Sequence, residues 1–473
     1  MNTSPEHIHF SGICGTAMAS LAVLLHRRGL RITGSDENVY PPMSDLLASE
    51  GIPVASGYAA ENLPERLDLL VIGNALSRGN PEVEAALERK LRYVSMAELL
   101  KEHFIRGNTS LVVAGTHGKT TTTSLLAWTF LHAGRDPGFL IGGIAENLKT
   151  SCREGKGGFF ITEGDEYDTA FFDKRSKFFH YLPDQLILNN LEFDHADIFA
   201  SLEDILRSFR WMLRLVPRNG LIAANGDDPN LRLVLEHAYS PVVTFGFGQG
   251  CEVRASELTL ELRREVSGTR FQVESSAGSS EFWIPLLGEH NVRNALGVLV
   301  LARHNGLDDD EIQAALSAFQ GIKRRLELRG ISGGVWVYDD FAHHPTAIRE
   351  TLAALRLKHP EARVFAVFEP RSNTSVINVH QRELGQAFRN ANFALFSTPH
   401  RQEKVPVDQR LNLQEVCEGL RRQGTEAWAL AGPEEIVGRL KEQVGSGDVV
   451  IVMSNGGFGG IHEKLLTALE SAR

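Results

Sequence analysis

The stretch LVVAGTHGKTT, residues 111–121, places an apolar strand, a glycine turn and the start of a helix in direct succession. In such a turn backbone N–H groups point at phosphate oxygens, the Lys119 ammonium neutralises charge, and the Thr120 hydroxyl can ligate magnesium. The motif is shorter than the usual phosphate loop, because Val113 stands where the first glycine would be. An ordinary glycine turn is the alternative, but the order of strand, turn and helix favours a nucleoside triphosphate cradle.

Outward from this motif, short apolar runs alternate with segments of helical period. Strands separated by helices in this way are typical of a parallel sheet with crossover helices. The runs lie at residues 7–10, 30–34, 67–73, 111–114, 159–162, 186–189, 221–225, 335–338, 364–368, 393–396 and 449–453. The sequence therefore predicts an α/β protein.

The spacing of these runs predicts three α/β domains in tandem, at residues 1–107, 108–326 and 327–473. The first domain ends near the polar segment 101–108, and the basic run 323–325 precedes the third. Strict alternation over residues 253–287 predicts hairpins within or beside the second domain. Helical segments at about 291–303 and 308–319 close that domain.

Composition excludes several classes of protein. The 59 acidic residues exceed the 49 basic ones, and the formal charge of −10 gives no general attraction to nucleic acid or to an anionic membrane. No run of about eighteen apolar residues occurs, and residues 1–9 are largely polar where a secretory signal needs an apolar run. The four cysteines are far apart and read as reduced thiols. We expect a cytoplasmic protein without membrane insertion and see no sign of an obligatory protein partner.

A run of carboxylates, TEGDEYD at residues 162–168, follows the apolar run 159–162. Carboxylates at the C-terminal edge of a parallel sheet are placed to hold a hard divalent cation that bridges phosphates. Alone, such a run is more often a solvated loop. Its position after a phosphate loop in the same domain favours the cation site.

Other motifs are ambiguous by themselves. His195 ends the motif NNLEFDH and is either a second cation ligand or a histidine satisfied near a loop. The polar amides of GEHNVRN, residues 288–294, suit a base or ribose but equally suit helix capping. Arg324 and Arg325 lie where a guanidinium can reach a transferring phosphoryl group, or where a helix simply ends. The adjacent histidines of DDFAHHP, residues 339–345, point apart and disfavour a joint metal site.

The N-terminal turn GICGTA, residues 12–17, invites comparison with the dinucleotide fingerprint GxGxxG. Cys14 and Ala17 stand where that fingerprint needs glycine, so a nicotinamide oxidoreductase is disfavoured. A short glycine turn leading into a helix remains, which suits a diphosphate, and Ser35 and Asp36 end the next strand where a nucleoside is normally contacted. A second nucleotide, bound but not hydrolysed, is the natural inference.

Taken together, these motifs resemble those of the ATP-dependent Mur ligases of peptidoglycan synthesis. The resemblance covers nearly the whole chain, because the motifs occur in the family's order. It implies a Rossmann-like N-terminal domain, a P-loop ATPase-like central domain and a Rossmann-like C-terminal domain. The matching motifs are GTHGKTTT at 115–122, TEGDEYD at 162–168, NNLEFDH at 189–195, GEHNVRNA at 288–295, KRRLE at 323–327 and DDFAHHP at 339–345.

The resemblance also implies a reaction and a set of site residues. ATP phosphorylates the lactyl carboxylate of UDP-N-acetylmuramate, and an amine attacks the acyl phosphate. Thr120 and Glu163 are the implied ligands of one Mg²⁺ ion, and His195 is the implied ligand of a second. The implied catalytic residues are Lys119, Glu163, His195 and Arg325. The implied ATP-binding residues are Gly115, Thr116, His117, Gly118, Lys119, Thr120, Thr121, Asn291, Asn294, Arg325, Asp340 and His343. The implied UDP-sugar contacts are Gly12, Gly15, Thr16, Ser35 and Asp36.

Variants within the motifs look like one branch of the family, which joins a recovered tripeptide, L-alanyl-γ-D-glutamyl-meso-diaminopimelate, to UDP-N-acetylmuramate. Arg371, Ser372 and Asn373 are expected to meet the tripeptide carboxylates, although the same loop could serve packing or closure. The nearest alternative is the same chemistry with free L-alanine. A non-catalytic, nucleotide-gated binding protein is the alternative from another class. The variant motifs are GICGTAM at 12–18, GSDENVYPPM at 34–43, DDFAHHPT at 339–346 and FEPRSNT at 368–374.

Overall fold

The computed structural model describes residues 7–470 and contains three large sheets, each flanked by helices. The predicted α/β class is therefore confirmed. Residues 1–6 and 471–473 are outside the described residues. Most of the polar N-terminal segment 1–9 therefore lies outside the described part of the chain. Within residues 7–470, no helix has the length and apolar character needed to cross a membrane.

The first sheet has five parallel strands. Its strands are β1 (His7–Ser11), β2 (Arg31–Asp36), β3 (Val54–Ser56), β4 (Leu69–Ile72) and β5 (Tyr93–Ser95), and its helices are α1 (Thr16–Arg27), α2 (Met43–Ser49), α3 (Pro81–Glu88) and α4 (Met96–Leu100). The strand order is β3-β2-β1-β4-β5, so the chain direction across the sheet reverses at β1. The loop after β1 thus lies at the switch point where doubly wound sheets bind ligands.

The central sheet is mixed and has ten strands. They are β6 (Thr109–Ala114), β7 (Gly138–Leu140), β8 (Cys152–Arg153), β9 (Phe159–Gly164), β12 (Gln185–Leu188), β13 (Leu221–Asn225), β14 (Val242–Gly246), β15 (Val253–Arg263), β16 (Val266–Ser275) and β17 (Gly278–Ile284), while β10 (Asp168–Ala170) and β11 (Asp173–Ser176) form a separate ribbon. The order is β17-β16-β15-β14-β13-β12-β6-β9-β7-β8. The predicted hairpins are confirmed as the antiparallel strands β15 to β17.

Five helices accompany the central sheet. They are α5 (Lys119–His132), α6 (Leu202–Leu213), α7 (Pro229–Leu235), α8 (Glu289–His304) and α9 (Asp309–Ser317). The neighbouring strands β12, β6 and β9 run parallel, so the segments that follow them meet at one edge of the sheet. Those segments are the glycine turn and the two acidic motifs.

The third sheet has six strands, of which only β18 is antiparallel. Its strands are β18 (Glu327–Ser332), β19 (Val335–Asp340), β20 (Val364–Phe368), β21 (Phe393–Ser397), β22 (Glu426–Leu430) and β23 (Val449–Met453), and its helices are α10 (Pro345–Lys358), α11 (Gln381–Ala387), α12 (Leu413–Arg422), α13 (Pro433–Gln443) and α14 (Ile461–Glu470). The order is β18-β19-β23-β20-β21-β22. The end of β19 faces the central sheet's ligand edge, because Asp340 and the residues after it line a shared cavity.

The first two sheets share one hydrophobic core. Helix α1 packs on β8, where the Ser20 and Ser151 hydroxyls lie 3.0 Å apart. The segment Lys101–Ile105 is a π-helix that buries Phe104 and Ile105, so the polar segment predicted to end the first domain is a packed connection. The apolar contacts therefore continue through this boundary.

Candidate active site

The glycine turn connects β6 to α5 and is shaped by two glycines. Gly115 has φ of +130° and Gly118 has φ of +79°, a region that side-chain-bearing residues rarely adopt. A Cβ at Gly115 would lie 2.9 Å from the carbonyl oxygen of Asn190. The turn can therefore approach the segment after β12 closely and direct the first N–H groups of α5 towards the cavity.

The segment after β12 fixes the shape of the glycine turn. The Thr116 N–H donates to the Asn190 carbonyl at 3.0 Å, and the His117 N–H donates to the Asn190 side-chain oxygen at 2.7 Å. The Asn189 amide donates to the Thr122 hydroxyl at 2.9 Å. These hydrogen bonds hold the turn in one conformation. A turn that is preorganised in this way binds an anion better than a mobile loop does.

Lys119 lies within the turn and contacts an acidic partner. Its Nζ donates to Glu166 Oε2 at 2.6 Å and to the Gly115 carbonyl at 2.7 Å. Burial lowers the pKa of Lys119, but the carboxylates of Glu166 and Asp165 outweigh burial and hold it above its usual value. The ammonium therefore stays charged and suited to phosphate oxygens.

Thr120 and Glu163 form an oxygen pair at the start of α5. The Thr120 hydroxyl donates to Glu163 Oε2 at 3.1 Å, and the Gly142 N–H donates to Oε1 at 2.6 Å. Burial raises the pKa of Glu163 above its usual value, and the Gly142 hydrogen bond and Lys119 partly oppose this. A cation would relieve this burial cost. A hydroxyl and a carboxylate oxygen about 3 Å apart match two adjacent ligands of octahedral Mg²⁺.

His195 lies on the segment after β12, lines the same cavity as Thr120 and has φ of +55°. Its ring packs edge-on against Tyr167, with centroids 4.4 Å apart. The backbone N–H of His195 donates to Asp194 Oδ1 at 2.7 Å. Burial raises the pKa of Asp194, but the surrounding histidines outweigh it and hold the pKa below its usual value. His195 lines the cavity, and its role as a second magnesium ligand stays a prediction.

A cavity of about 640 Å³ lies between the central and C-terminal sheets. It gathers residues that are far apart in the sequence and were predicted to bind nucleotide. Those that line it are Thr116, His117, Gly118, Lys119, Thr120, Thr121, Asn291, Asn294, Arg325, Asp340 and His343, and the predicted magnesium ligand His195 lines it as well. Gly115 and Glu163 lie outside this lining, and Glu163 contacts the lining residue Thr120.

The C-terminal sheet closes the cavity with groups around Phe341. The Arg325 guanidinium lies 5.1 Å from the Phe341 ring centroid. Burial lowers the pKa of Arg325 and raises that of Asp340, and the two charges oppose both shifts. The His343 ring pairs through Nδ1 with the Phe341 carbonyl at 3.0 Å. A cation just before β18 and an anion and an imidazole at the end of β19 therefore line the same cavity as the phosphate turn.

The N-terminal turn is tied to β2. The Gly12 N–H donates to the Ser35 carbonyl at 2.8 Å, and the Cys14 N–H donates to Asp36 Oδ2 at 2.9 Å. The Ser35 hydroxyl is fully buried and donates to Glu82 Oε2 at 2.6 Å. Ser35 therefore supports the turn from inside, and its role as a substrate contact stays a prediction.

Two carboxylates that organise these turns, one buried and one partly exposed, were not singled out in the sequence. Glu82 on α3 is completely buried and accepts hydrogen bonds from Ser11, Ser35 and Asn62. Glu192 lies 3.1 Å from His117 Nε2 and accepts the Thr346 hydroxyl at 3.0 Å. No local pattern marks either residue, because their partners come from distant segments.

The predicted peptide loop makes mostly internal contacts. The Asn373 amide donates to Asp197 at 2.8 Å, and the Ser372 hydroxyl accepts the Ser375 N–H at 3.1 Å. Arg371 is 37% exposed and pairs with Glu369 at 3.4 Å. Arg371 thus keeps a partly open guanidinium, whereas Asn373 joins the loop to the segment after His195. The closure alternative fits Ser372 and Asn373 better than direct substrate contact.

Three family models match the chain in order. The model "Mur ligase family, catalytic domain" matches residues 7–107, "Mur ligase middle domain" matches residues 113–302, and "Mur ligase, glutamate ligase domain" matches residues 324–456. The chain belongs to the Mur ligase family.

Relatives within the family are similar along their whole length. A UDP-N-acetylmuramate–L-alanyl-gamma-D-glutamyl-meso-2,6-diaminoheptandioate ligase of Escherichia coli (strain K12) is 43% identical over 463 residues, 98% of each chain. A crystal structure of a murein peptide ligase from Psychrobacter arcticus is 38% identical, with a TM-score of 0.74 over 98% of this chain and 99% of that one. A UDP-N-acetylmuramate–L-alanine ligase of Desulforapulum autotrophicum is 31% identical over 464 residues, 98% of each chain.

Proposed function

We propose that this protein is an ATP-dependent, ADP-forming amide ligase of peptidoglycan recycling. It joins L-alanyl-γ-D-glutamyl-meso-diaminopimelate to UDP-N-acetylmuramate through an acyl phosphate. The observation that carries the proposal is the 43% identity, over 98% of both chains, to a ligase named for this reaction. The cavity supports it, because the phosphate turn of the central sheet, the cation Arg325 before β18 and the imidazole of His343 after β19 all line it.

The phosphate turn supplies the first step. A carboxylate is a poor electrophile at neutral pH, so it needs activation before an amine can attack it. The backbone N–H groups of the turn and the charged Lys119 hold the β- and γ-phosphates of ATP. Arg325 approaches the γ-phosphate from the C-terminal side, where it stabilises charge on the transferring group. Asn291, Asn294, Asp340 and His343 face the adenosine.

Mg²⁺ is held in this proposal by Thr120 and Glu163, with His195 as the candidate ligand of a second ion. The buried carboxylate and adjacent hydroxyl oxygen fit a hard cation. When bound, the metal neutralises phosphate charge and orients the two reacting oxygens. Glu163 is kept in place by the Gly142 N–H.

The acid and the amine approach from the other two sheets. Gly12, Gly15, Thr16 and Asp36 hold the uridine diphosphate at the switch point of the first sheet, with Ser35 in support. Arg371 meets a tripeptide carboxylate with its partly open guanidinium. The cavity between the sheets excludes water from the acyl phosphate, which would otherwise hydrolyse. The amine then forms the amide, and phosphate leaves.

We also propose a cytoplasmic location and the domain limits 1–107, 108–326 and 327–473. The location is supported by the need of the proposed reaction for ATP. The limits are supported by one large sheet within each range. The packed segment Lys101–Ile105 lies at the first limit.

ADP formation with different acceptors tests the proposed reaction. The purified protein is supplied with ATP, Mg²⁺ and UDP-N-acetylmuramate, and then with the tripeptide or with L-alanine. We expect ADP and an amide product with the tripeptide and little with L-alanine. Dependence on L-alanine alone would favour the amino-acid ligase instead. ATP binding without turnover on either acceptor would favour a non-catalytic binding protein.

A further inference from the structure

Three potential metal ligands meet outside the proposed magnesium pair. His117 Nε2 lies 3.1 Å from Glu192 Oε2, and His344 Nδ1 lies 3.3 Å from the same oxygen. The three ligand atoms all lie within 4.8 Å of one another. Two nitrogens and one oxygen at this spacing can reach a single ion with bonds of ordinary length.

The three side chains come from separate segments that other contacts hold in place. His117 belongs to the phosphate turn, Glu192 follows β12, and His344 is the N-cap of α10. The Glu192 N–H donates to the Thr116 hydroxyl at 2.9 Å, and Glu192 Oε1 accepts the Thr346 hydroxyl at 3.0 Å. These supporting hydrogen bonds orient the ligands, as in built metal sites.

Hydrogen bonds alone do not satisfy the His344 ring. Its Nδ1 faces both the Thr346 N–H, at 3.3 Å, and the Glu192 carboxylate, at 3.3 Å. One nitrogen cannot accept from the first and donate to the second at the same time. Its Nε2 is buried and has no hydrogen-bond partner among residues 7–470. A cation that takes the Nδ1 lone pair in place of the Thr346 N–H would turn the close approach of His344 and Glu192 into a favourable one.

We propose that His117, Glu192 and His344 form a binding site for a borderline divalent cation of the zinc class. Two imidazoles and one carboxylate suit Zn²⁺, Co²⁺ or Ni²⁺, whereas Mg²⁺ prefers oxygen ligands. His117 and Glu192 line the large cavity, so a fourth position is open to water or to a substrate oxygen. The ion would join the phosphate turn to the C-terminal sheet. This site goes beyond the proposed ligase and is separate from the Thr120–Glu163 pair.

Metal titration of the tag-free full chain, without nucleotide or substrate, tests the site. Zn²⁺ binding is measured by calorimetry, and Co²⁺ binding by the absorption bands of the bound ion. The variants Glu192→Gln, His344→Asn and His117→Asn each remove one ligand, and asparagine can still cap α10. His180→Asn is the matched control, because His180 pairs with only one carboxylate, Asp173, at 3.0 Å. Glu163→Gln controls for the magnesium pair. Circular dichroism confirms that each variant is folded.

We expect one Zn²⁺ per chain, tetrahedral Co²⁺ bands, and affinity at least about tenfold weaker in each of the three ligand variants. His180→Asn and Glu163→Gln should bind as the unaltered chain does. The proposal is overturned if the unaltered chain shows no saturable binding. It is also overturned if His344→Asn binds normally while Glu163→Gln does not. Because no substrate is present, either result is independent of the ligase assay.

Discussion

Glu192 and Thr346 are joined by a hydrogen bond of 3.0 Å that crosses from the central sheet to the C-terminal sheet. The backbone N–H of Glu192 also donates to the Thr116 hydroxyl in the phosphate turn. One residue thus connects the phosphate turn to the first turn of α10. Closure of the two sheets over ATP should therefore depend on this contact.

The variant Thr346→Val removes the hydroxyl donor at nearly constant volume. We expect kcat/KM to fall about fivefold, which corresponds to about 1 kcal/mol for one hydrogen bond. Thr346→Ser keeps the hydroxyl and should retain most of the rate. Initial rates of ADP formation with all three substrates check this. Full activity of Thr346→Val together with a loss in Thr346→Ser would show that the methyl group matters and the hydrogen bond does not.

Lys119 and Glu166 should separate into a catalytic group and a group that positions it. Lys119→Met removes the positive charge that faces the phosphates. We expect a loss of at least about a hundredfold in kcat. Glu166→Gln leaves the ammonium charged by Asp165 but loosens the contact of 2.6 Å. Its main effect should be a higher KM for ATP. Steady-state kinetics over a range of ATP concentrations distinguish the two, and an equal loss of kcat in both variants would refute this division of roles.

Glu82 should stabilise the first sheet in a pH-dependent way. Burial raises its pKa, but hydrogen bonds from His9, Ser11 and Ser35 outweigh burial and hold the pKa below the ordinary 4.5. The ionised carboxylate therefore contributes stability that is fully present above pH 4.5, the ordinary pKa of the group. This stability is lost as the pH falls through the lower folded-state pKa.

The isosteric variant Glu82→Gln tests this contribution. We expect a loss of about 1–3 kcal/mol at neutral pH, because amide hydrogens would meet hydroxyl donors. The difference from the unaltered chain should shrink as the pH falls below 4.5 and through the lowered folded-state pKa of Glu82. Thermal midpoints across this range measure it. A difference that stays constant or grows on acidification would contradict the ionised state of Glu82.

Arg371 should recognise the peptide and leave the nucleotide unaffected. Arg371→Ala is expected to raise the KM for the tripeptide about tenfold, since a charge-assisted contact is worth about 1.5–3 kcal/mol. The KM values for ATP and UDP-N-acetylmuramate should change little. Ser372→Ala is the neighbouring control, because the Ser372 hydroxyl it removes only accepts a hydrogen bond within a local turn. Equal changes in all three KM values would assign Arg371 to closure.

Local patterns predicted much of this structure. The strand, turn and helix at 111–121 follow from adjacent residues, and the structure has β6 over Thr109–Ala114 and α5 from Lys119. Residues at the ends of neighbouring parallel strands meet for a topological reason, so Glu163 and His195 could be placed beside the turn. The family resemblance, and not spacing, associated Arg325 and Asp340 with that turn.

Other features depend on distant partners and left no local pattern. The buried Glu82 looks like an ordinary exposed helix carboxylate until its partners on β1 and β2 are known. Ser35 was predicted as a ligand contact because strand ends often carry one, but α3 covers its hydroxyl. The adjacent pair His343 and His344 does point to different places, as predicted, yet His344 meets His117 and Glu192 across the cavity.

Transfer of labelled oxygen tests the central claim most directly. In this experiment, UDP-N-acetylmuramate is labelled with oxygen-18 at both oxygens of the lactyl carboxylate and incubated with ATP, Mg²⁺ and the tripeptide. Mass spectrometry then measures the oxygen-18 content of the released phosphate and of the amide product. We expect one labelled oxygen in each released phosphate and one phosphate released per amide formed. Unlabelled phosphate, or phosphate released without amide, would contradict activation of the sugar acid by ATP.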